Sequence, residues 1–217
     1  MSELQNSCLL STLTPPAGGW EPKQISMKIA IYCSANDNID PDFFRMTEDL
    51  GRWIGENGHN VVFGGCNMGL MECVAKAAHE AGGMTIGIVP SLIEERGRQS
   101  DHVDVCIPCD NLSDRKALFM QQSDVHVILP GGIGSLDELF TVAASATIGY
   151  HSKPTILYNM KGFWDSLIAL LDDLQQKGMI RGRWRNVIRV VNDFEELKKE
   201  LEAPSNPPKG GRSNRQK

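Results

Sequence analysis

The stretch Leu129-Pro130-Gly131-Gly132-Ile133-Gly134-Ser135-Leu136-Asp137-Glu138 decides how this chain is read. The residues before it, 124–129, are apolar at almost every position and read as a buried strand. The residues after it, 135–148, read as a helix beginning near Ser135. Between the two, three glycines let the backbone turn tightly and approach a ligand with no Cβ in the way. The first-turn N–H groups of the helix then face that ligand, with the positive end of the helix dipole behind them. Such a turn is an anion site, and Ser135 adds a hydroxyl donor to it.

Three readings of the loop compete. A P-loop needs a lysine after its last glycine, and Gly134-Ser135-Leu136 has none. A dinucleotide fingerprint needs a glycine where Asp137 stands, and it follows a first strand rather than a late one. The third reading is a plain tight turn from strand to helix. Asp137 and Glu138 near a helix start also complement the dipole, so on their own they do not decide the matter.

Outward from the loop, strand-like and helix-like patterns alternate. Strands are read at 28–33, 60–63, 84–89, 103–107, 124–129, 154–158 and 187–191. Helices are read at 41–57, 69–81, 111–122, 135–148, 162–177 and 193–201. The strands are apolar on both faces, as in Ile29-Ala30-Ile31, which suits parallel strands covered by helices on both sides. The fold class expected is α/β, a doubly wound Rossmann-like, mostly parallel sheet with helices on both faces. Ligands in such folds sit at the carboxyl ends of the strands. Three conspicuous segments lie there: 33–36, 64–71 and 130–138. The nucleotide-binding domain is expected to span residues 27–202. Residues 1–26, rich in Ser, Thr, Pro and Gly, read as a flexible arm, and 203–217 as a disordered tail.

Composition narrows the partners. The chain has 217 residues and a formal net charge of −5, so it gains nothing from counterion release on DNA or RNA. No apolar run approaches the ~18 residues that a membrane span needs, and no signal peptide is read, so a cytoplasmic protein is expected. Cys106-Ile107-Pro108-Cys109 is a CxxC, but it sits in a strand-like run rather than at a helix start. It reads as a pair of ordinary thiols. The histidines are scattered and no HExxH or GxSxG occurs, so neither a catalytic metal nor a serine triad is read. His126, inside its strand, reads as a core histidine.

Two further motifs accompany the loop. Asp114-Arg115-Lys116 lies on the helix feeding its strand, with Arg115 fifteen residues before Pro130. If that helix starts at the same sheet edge, Arg115 can reach a phosphate or pair with Glu138. Gly64-Gly65-Cys66-Asn67-Met68-Gly69-Leu70-Met71 repeats the glycine device after the second strand. It reads either as a second ligand loop or as simple helix packing.

At these residues the chain closely resembles the lonely-guy family of cytokinin riboside 5′-monophosphate phosphoribohydrolases, often labelled lysine decarboxylases. The family's PGGxGTxxE stands here as PGGIGSLDE, preceded at the family's spacing by Arg115-Lys116. Its GGGxxGLMG stands as residues 64–72, its CGSS as Cys33-Ser34-Ala35-Asn36, and its G-x-H-x-K-P as residues 149–154. The resemblance implies hydrolysis of the N-glycosidic bond of a purine-type nucleoside 5′-monophosphate, an adenine or N6-modified adenine nucleotide. It puts the catalytic pair on Arg115 and Glu138. It puts phosphate and substrate binding on Gly131, Gly132, Gly134 and Ser135, with Lys116, Ser34, Gly65 and Asp137. It implies a homodimer and calls for neither metal nor cofactor. Lysine decarboxylation is disfavoured, since it needs a pyridoxal-phosphate lysine and a longer chain. The other class in play is a non-catalytic carrier of a nucleotide or of a molybdenum-cofactor-type pterin phosphate. A carrier needs the loop but not the Arg115–Glu138 pair. The chain departs from the family at Ser135, Glu72, Cys66, Leu112 and Phe119, and at Thr141, Ala144, Ser145 and Thr147. Those changes bear on the base more than on the reaction.

Overall fold

Seven short apolar runs pair side by side, all parallel, in a computed structural model that describes residues 26–91 and 95–203. The strands are β1 (Lys28–Tyr32), β2 (Asn60–Phe63), β3 (Thr85–Pro90), β4 (Val105–Cys109), β5 (Val125–Ile128), β6 (Thr155–Tyr158) and β7 (Ile188–Val191). Their order is β4-β3-β2-β1-β5-β6-β7. The helices are α1 (Pro41–Glu56), α2 (Gly69–Glu80), α3 (Leu112–Gln122), α4 (Ile133–Ile148), α5 (Asp165–Gln176) and α6 (Phe194–Glu202). This is the doubly wound sheet expected from the alternating pattern. Of the expected terminal arms, 1–26 and 203–217, all but Ser26 and Ala203 lie outside the described residues.

Alternation along β1 divides the core into two layers. Ile29, Ile31 and Cys33 pack with Leu50 and Ile54 of α1, Leu70 and Val74 of α2, and Leu197 of α6. Ala30 and Tyr32 face Phe119 of α3, Leu139 and Val142 of α4, and Leu171 of α5. Successive strand residues point to opposite faces, so one apolar strand serves both layers. The chain winds outward from β1 to β4, then returns to β5 on the other flank of β1. That return makes a topological switch point between β1 and β5, where the loops that follow the two strands diverge.

Element boundaries differ from the expected ones for local reasons. The weak strand begins at Val105 rather than at 103, because Asp104 turns its carboxylate to the Thr85 N–H at 2.8 Å and ends the preceding loop. Helix α4 starts at Ile133, two residues earlier than read, with Gly132 as its N-cap. Helix α5 starts at Asp165, three residues later than read, behind a short 3₁₀ turn at Met160–Gly162. In the CxxC, Cys109 is buried and Cys106 exposed. Three residues apart on a strand, the two side chains leave from opposite faces, which suits ordinary thiols and not a redox pair.

Gly69 marks a tight backbone joint in the frame. Its φ is +58°, and a Cβ there would lie 2.6 Å from the carbonyl carbon of Ala35 and from the Asn36 nitrogen. Gly69→Ala combines a left-handed conformation with a backbone clash, and is expected to cost about 2–4 kcal/mol. The measurement is the urea midpoint, which falls while the m-value stays unchanged.

Candidate active site

The carboxyl edge of the sheet gathers the chemistry. Pro130 follows β5, and its carbonyl accepts a 3.0 Å hydrogen bond from the Ser34 N–H, tying the first loop to the last. Gly131 packs where any Cβ would strike the Ser135 side chain, so this turn requires glycine at that point. No side chain caps α4, and Ile133 at its first position is 88% exposed. The leading amides therefore stand open at the positive end of a 16-residue helix, which is what an anion needs. Ser135 lies buried beneath them.

The second glycine loop is built differently. The first amides of α2 are already bonded: the Gly69 N–H donates to Asp37 Oδ1 at 2.7 Å, and the Leu70 N–H to the Ser34 carbonyl at 2.9 Å. A carboxylate from the β1 loop occupies the place an anionic ligand would take. Gly65 has a φ of +72° and packs against Val89, and its carbonyl accepts the Ser100 N–H at 2.9 Å. Of these two glycine loops, only the one after β5 leads into an uncapped helix start. The structure uses 64–69 chiefly for close packing.

Arg115 and Glu138 meet, although they belong to different helices. Asn111 caps α3 by accepting the Ser113 and Asp114 N–H groups at 2.9 and 3.0 Å, which sets the start of the helix at the carboxyl edge. Arg115 follows in its first turn. Its Nη1 stands 3.5 Å from Glu138 Oε1, an ion pair rather than a tight hydrogen bond. The guanidinium also reaches the Ile88 and Gly64 carbonyls, each at 3.4 Å, and lies over the Phe119 ring at 5.4 Å. A side chain at position 64 would displace Arg115 outright.

Burial pushes the Glu138 carboxyl up to about 7, against the opposing pull of Arg115. Asp137 adds to the rise and Lys116 subtracts from it. A carboxyl half-ionised near neutral pH can take up a proton as readily as it gives one. Lys116 and Asp137 pair with each other, Lys116 Nζ standing 3.0 Å from both Asp137 carboxylate oxygens. Ser34 joins the site through its backbone, while its hydroxyl accepts the Asn36 N–H at 3.0 Å.

Tyr32, Phe119, Thr141 and Val142 complete a narrow cleft with Lys116 and Glu138. The sequence reading did not place Tyr32 at the site. Its signal was its position as the last residue of β1, beside the switch point. It stacks edge-on against Phe119 at 4.9 Å, and its hydroxyl hydrogen-bonds with His126 Nδ1 at 3.0 Å. Burial and the nearby Glu138 hold its phenol well above the ordinary range. His126 is a fully buried core histidine, as read, and burial lowers it to about 3.

Residues 71–201 match the family model described as "possible lysine decarboxylase". A cytokinin riboside 5′-monophosphate phosphoribohydrolase of Arabidopsis thaliana is 31% identical, over 81% of this chain and 77% of its own. This chain belongs to the lonely-guy family. A lonely-guy relative from Mycobacterium tuberculosis, bearing the same enzyme name, is 32% identical over 77% of this chain and 89% of its own. Among solved structures, the molybdenum cofactor binding protein of Rippkaea orientalis superposes with a TM-score of 0.62 at 24% identity. It covers 82% of this chain and 99% of its own, and shares the Rossmann-like fold. Among the described residues, no helix is long and apolar enough to cross a membrane, and no group of three or more His, Cys, Asp or Glu is disposed to hold a metal.

The raised Glu138 carboxyl has a thermodynamic consequence. Above the ordinary carboxylate value near 4.5, the unfolded chain loses this proton while the folded chain keeps it until about pH 7. Stability contributed by the buried neutral acid is therefore full below pH 4.5 and declines as pH rises to 7. Relative to Glu138→Gln, the wild type is expected to lose up to about 3 kcal/mol across that window. Urea unfolding of both proteins at several pH values measures it, and parallel stability curves would contradict the buried-acid assignment.

Proposed function

We propose that the chain hydrolyses the N-glycosidic bond of an adenine or N6-modified adenine nucleoside 5′-monophosphate, releasing the base and ribose 5-phosphate. The observation that carries this is the buried Arg115–Glu138 pair beside an uncapped helix start. The names of the relatives support the same reaction. The 5′-phosphate lies on the Gly131, Gly132, Gly134 and Ser135 turn. Its binding energy, remote from the reacting carbon, holds the ribose in place. As the C1′–N9 bond breaks, its electron pair leaves with the base and positive charge grows on the ribosyl ring. Glu138 stabilises that charge and takes a proton from the attacking water, whose oxygen bonds to C1′, and the proton passes on to the departing base nitrogen. Arg115 orients the carboxylate.

The working unit we propose is a homodimer. Ile133, Phe140 and Ile148 on α4, with Tyr150 just beyond it and Leu112 at the start of α3, leave large apolar side chains exposed in one protomer, as a face awaiting a second copy does. Sedimentation of the full chain is expected to give a dimer, and Phe140→Asp a monomer.

Incubation with AMP and with isopentenyladenosine monophosphate, followed by chromatography of the free base, tests the reaction. Base release from at least one is expected, with Glu138→Gln lowering turnover about 10²–10⁴-fold while nucleotide still binds. Their ratio sets the base preference. Nucleotide binding without base release from either would favour a carrier, which uses the loop and not the pair.

A further inference from the structure

Helix α3 carries Arg115 and packs on the core through Phe119, with Leu118 and Met120 partly buried beside it. Of its 11 residues only Phe119 is fully buried. It has no basic residue in its last turn to complement the negative end of its dipole. That charge comes from another element. Lys153 Nζ donates to the Ser123 carbonyl at 2.5 Å and to the Met120 carbonyl, closing the C-terminal end of α3.

The same short segment reaches α4, which carries Glu138. His151 Nε2 donates to the Val142 carbonyl at 3.0 Å. The Lys153 N–H donates to His151 Nδ1 at 3.2 Å, so Nδ1 is the acceptor and Nε2 carries the hydrogen. One turn of chain before β6 thus holds both helices by their carbonyls. An 11-residue helix is a rod about 16 Å long. With Phe119 as its one buried anchor, movement at Met120–Ser123 swings the first turn, where Arg115 sits.

We propose that Lys153, seated by His151, is a positioning residue that sets the distance between Arg115 and Glu138. Its catalytic consequence rests on the hydrolase reading above, whereas the geometric one does not. Lys153 touches neither the glycine turn nor the cleft, so its loss moves the pair and leaves the phosphate loop intact.

The test uses the full chain in three forms: wild type, Lys153→Met, which keeps the aliphatic stem, and Lys153→Arg, which keeps the charge. Glutamate labelled with ¹³C at the side-chain carboxyl reports the titration of Glu138, its resonance identified by its loss in Glu138→Gln. The groups facing that carboxyl are Arg115 and Lys116 from α3, Asp137 from α4, and Tyr32 and Cys33 from the β1 edge. Arg115 is the principal one opposing the rise. In Lys153→Met the midpoint is expected to move upward from about 7, and in Lys153→Arg to return. Turnover is expected to fall about tenfold in Lys153→Met with KM within about threefold. An unmoved Glu138 titration in folded Lys153→Met overturns the proposal. Should that variant not fold, Lys153→Gln carries the same readout, and failure of both to fold assigns the lysine to stability alone and overturns it too. If the wild type releases no base, the hydrolase reading fails while the titration still decides the positioning role.

Discussion

β1 and β5 are hydrogen-bonded neighbours whose following chains depart to opposite faces of the sheet, and everything at the carboxyl edge follows from that divergence. The chain after β1 leads to α1, on the face shared with α2 and α6. The chain after β5 leads to α4, on the face shared with α3 and α5. A crevice opens between the departing loops, pinned at its base by the Ser34 N–H on the Pro130 carbonyl. Because every strand is parallel, the helices that follow β4 and β5 begin at this same edge. That is how Arg115 and Glu138, on separate helices, come to face one another.

The crevice has two glycine-rich walls, and hydrogen-bond accounting distinguishes them. Buried amides must find partners. At α2 the partners are Asp37 and the Ser34 carbonyl, so the loop there is closed upon itself. At α4 no side chain caps the helix. A helix end left this way forgoes the stabilisation a cap gives, about 1 kcal/mol, in a protein that caps α1, α3 and α6 with Asp40, Asn111 and Asp193. Helix α5 also lacks a side-chain cap, and what sets the start of α4 apart is the Arg115–Glu138 pair beside it.

Much of this was legible in the sequence, and what was not has a physical reason. The glycine turn, the strand before it and the sheet class could be read because glycine, apolar runs and period are local properties. Arg115 and Glu138 could be named as a pair only on condition that α3 began at the sheet edge, a condition of topology that spacing does not contain. Gly65 carries the same local signature as Gly131, yet its φ of +72° serves a contact with Val89 across the sheet. Tyr32 went unread because an aromatic at a strand end is ordinary. Only the pairing of β1 with β5 brings it to the cleft. The start of α4 was placed two residues late because Gly134 is a poor helix former, and the turn at Gly131–Gly132 outweighs that local preference.

The electrostatics of the pair show what the fold gives up for reactivity. An arginine in close contact would hold a carboxylate ionised and inert well below neutrality. At 3.5 Å, with the guanidinium shared among Glu138 and the Ile88 and Gly64 carbonyls, its pull is too weak to cancel the burial of the acid. The carboxyl therefore titrates near neutral pH at the expense of folding stability. Such a balance shifts with the distance between the two groups, because their attraction weakens as that distance grows. It follows that the residues holding α3 and α4 in register bear on the chemistry as directly as those lining the cleft, and that they need not touch a ligand to do so.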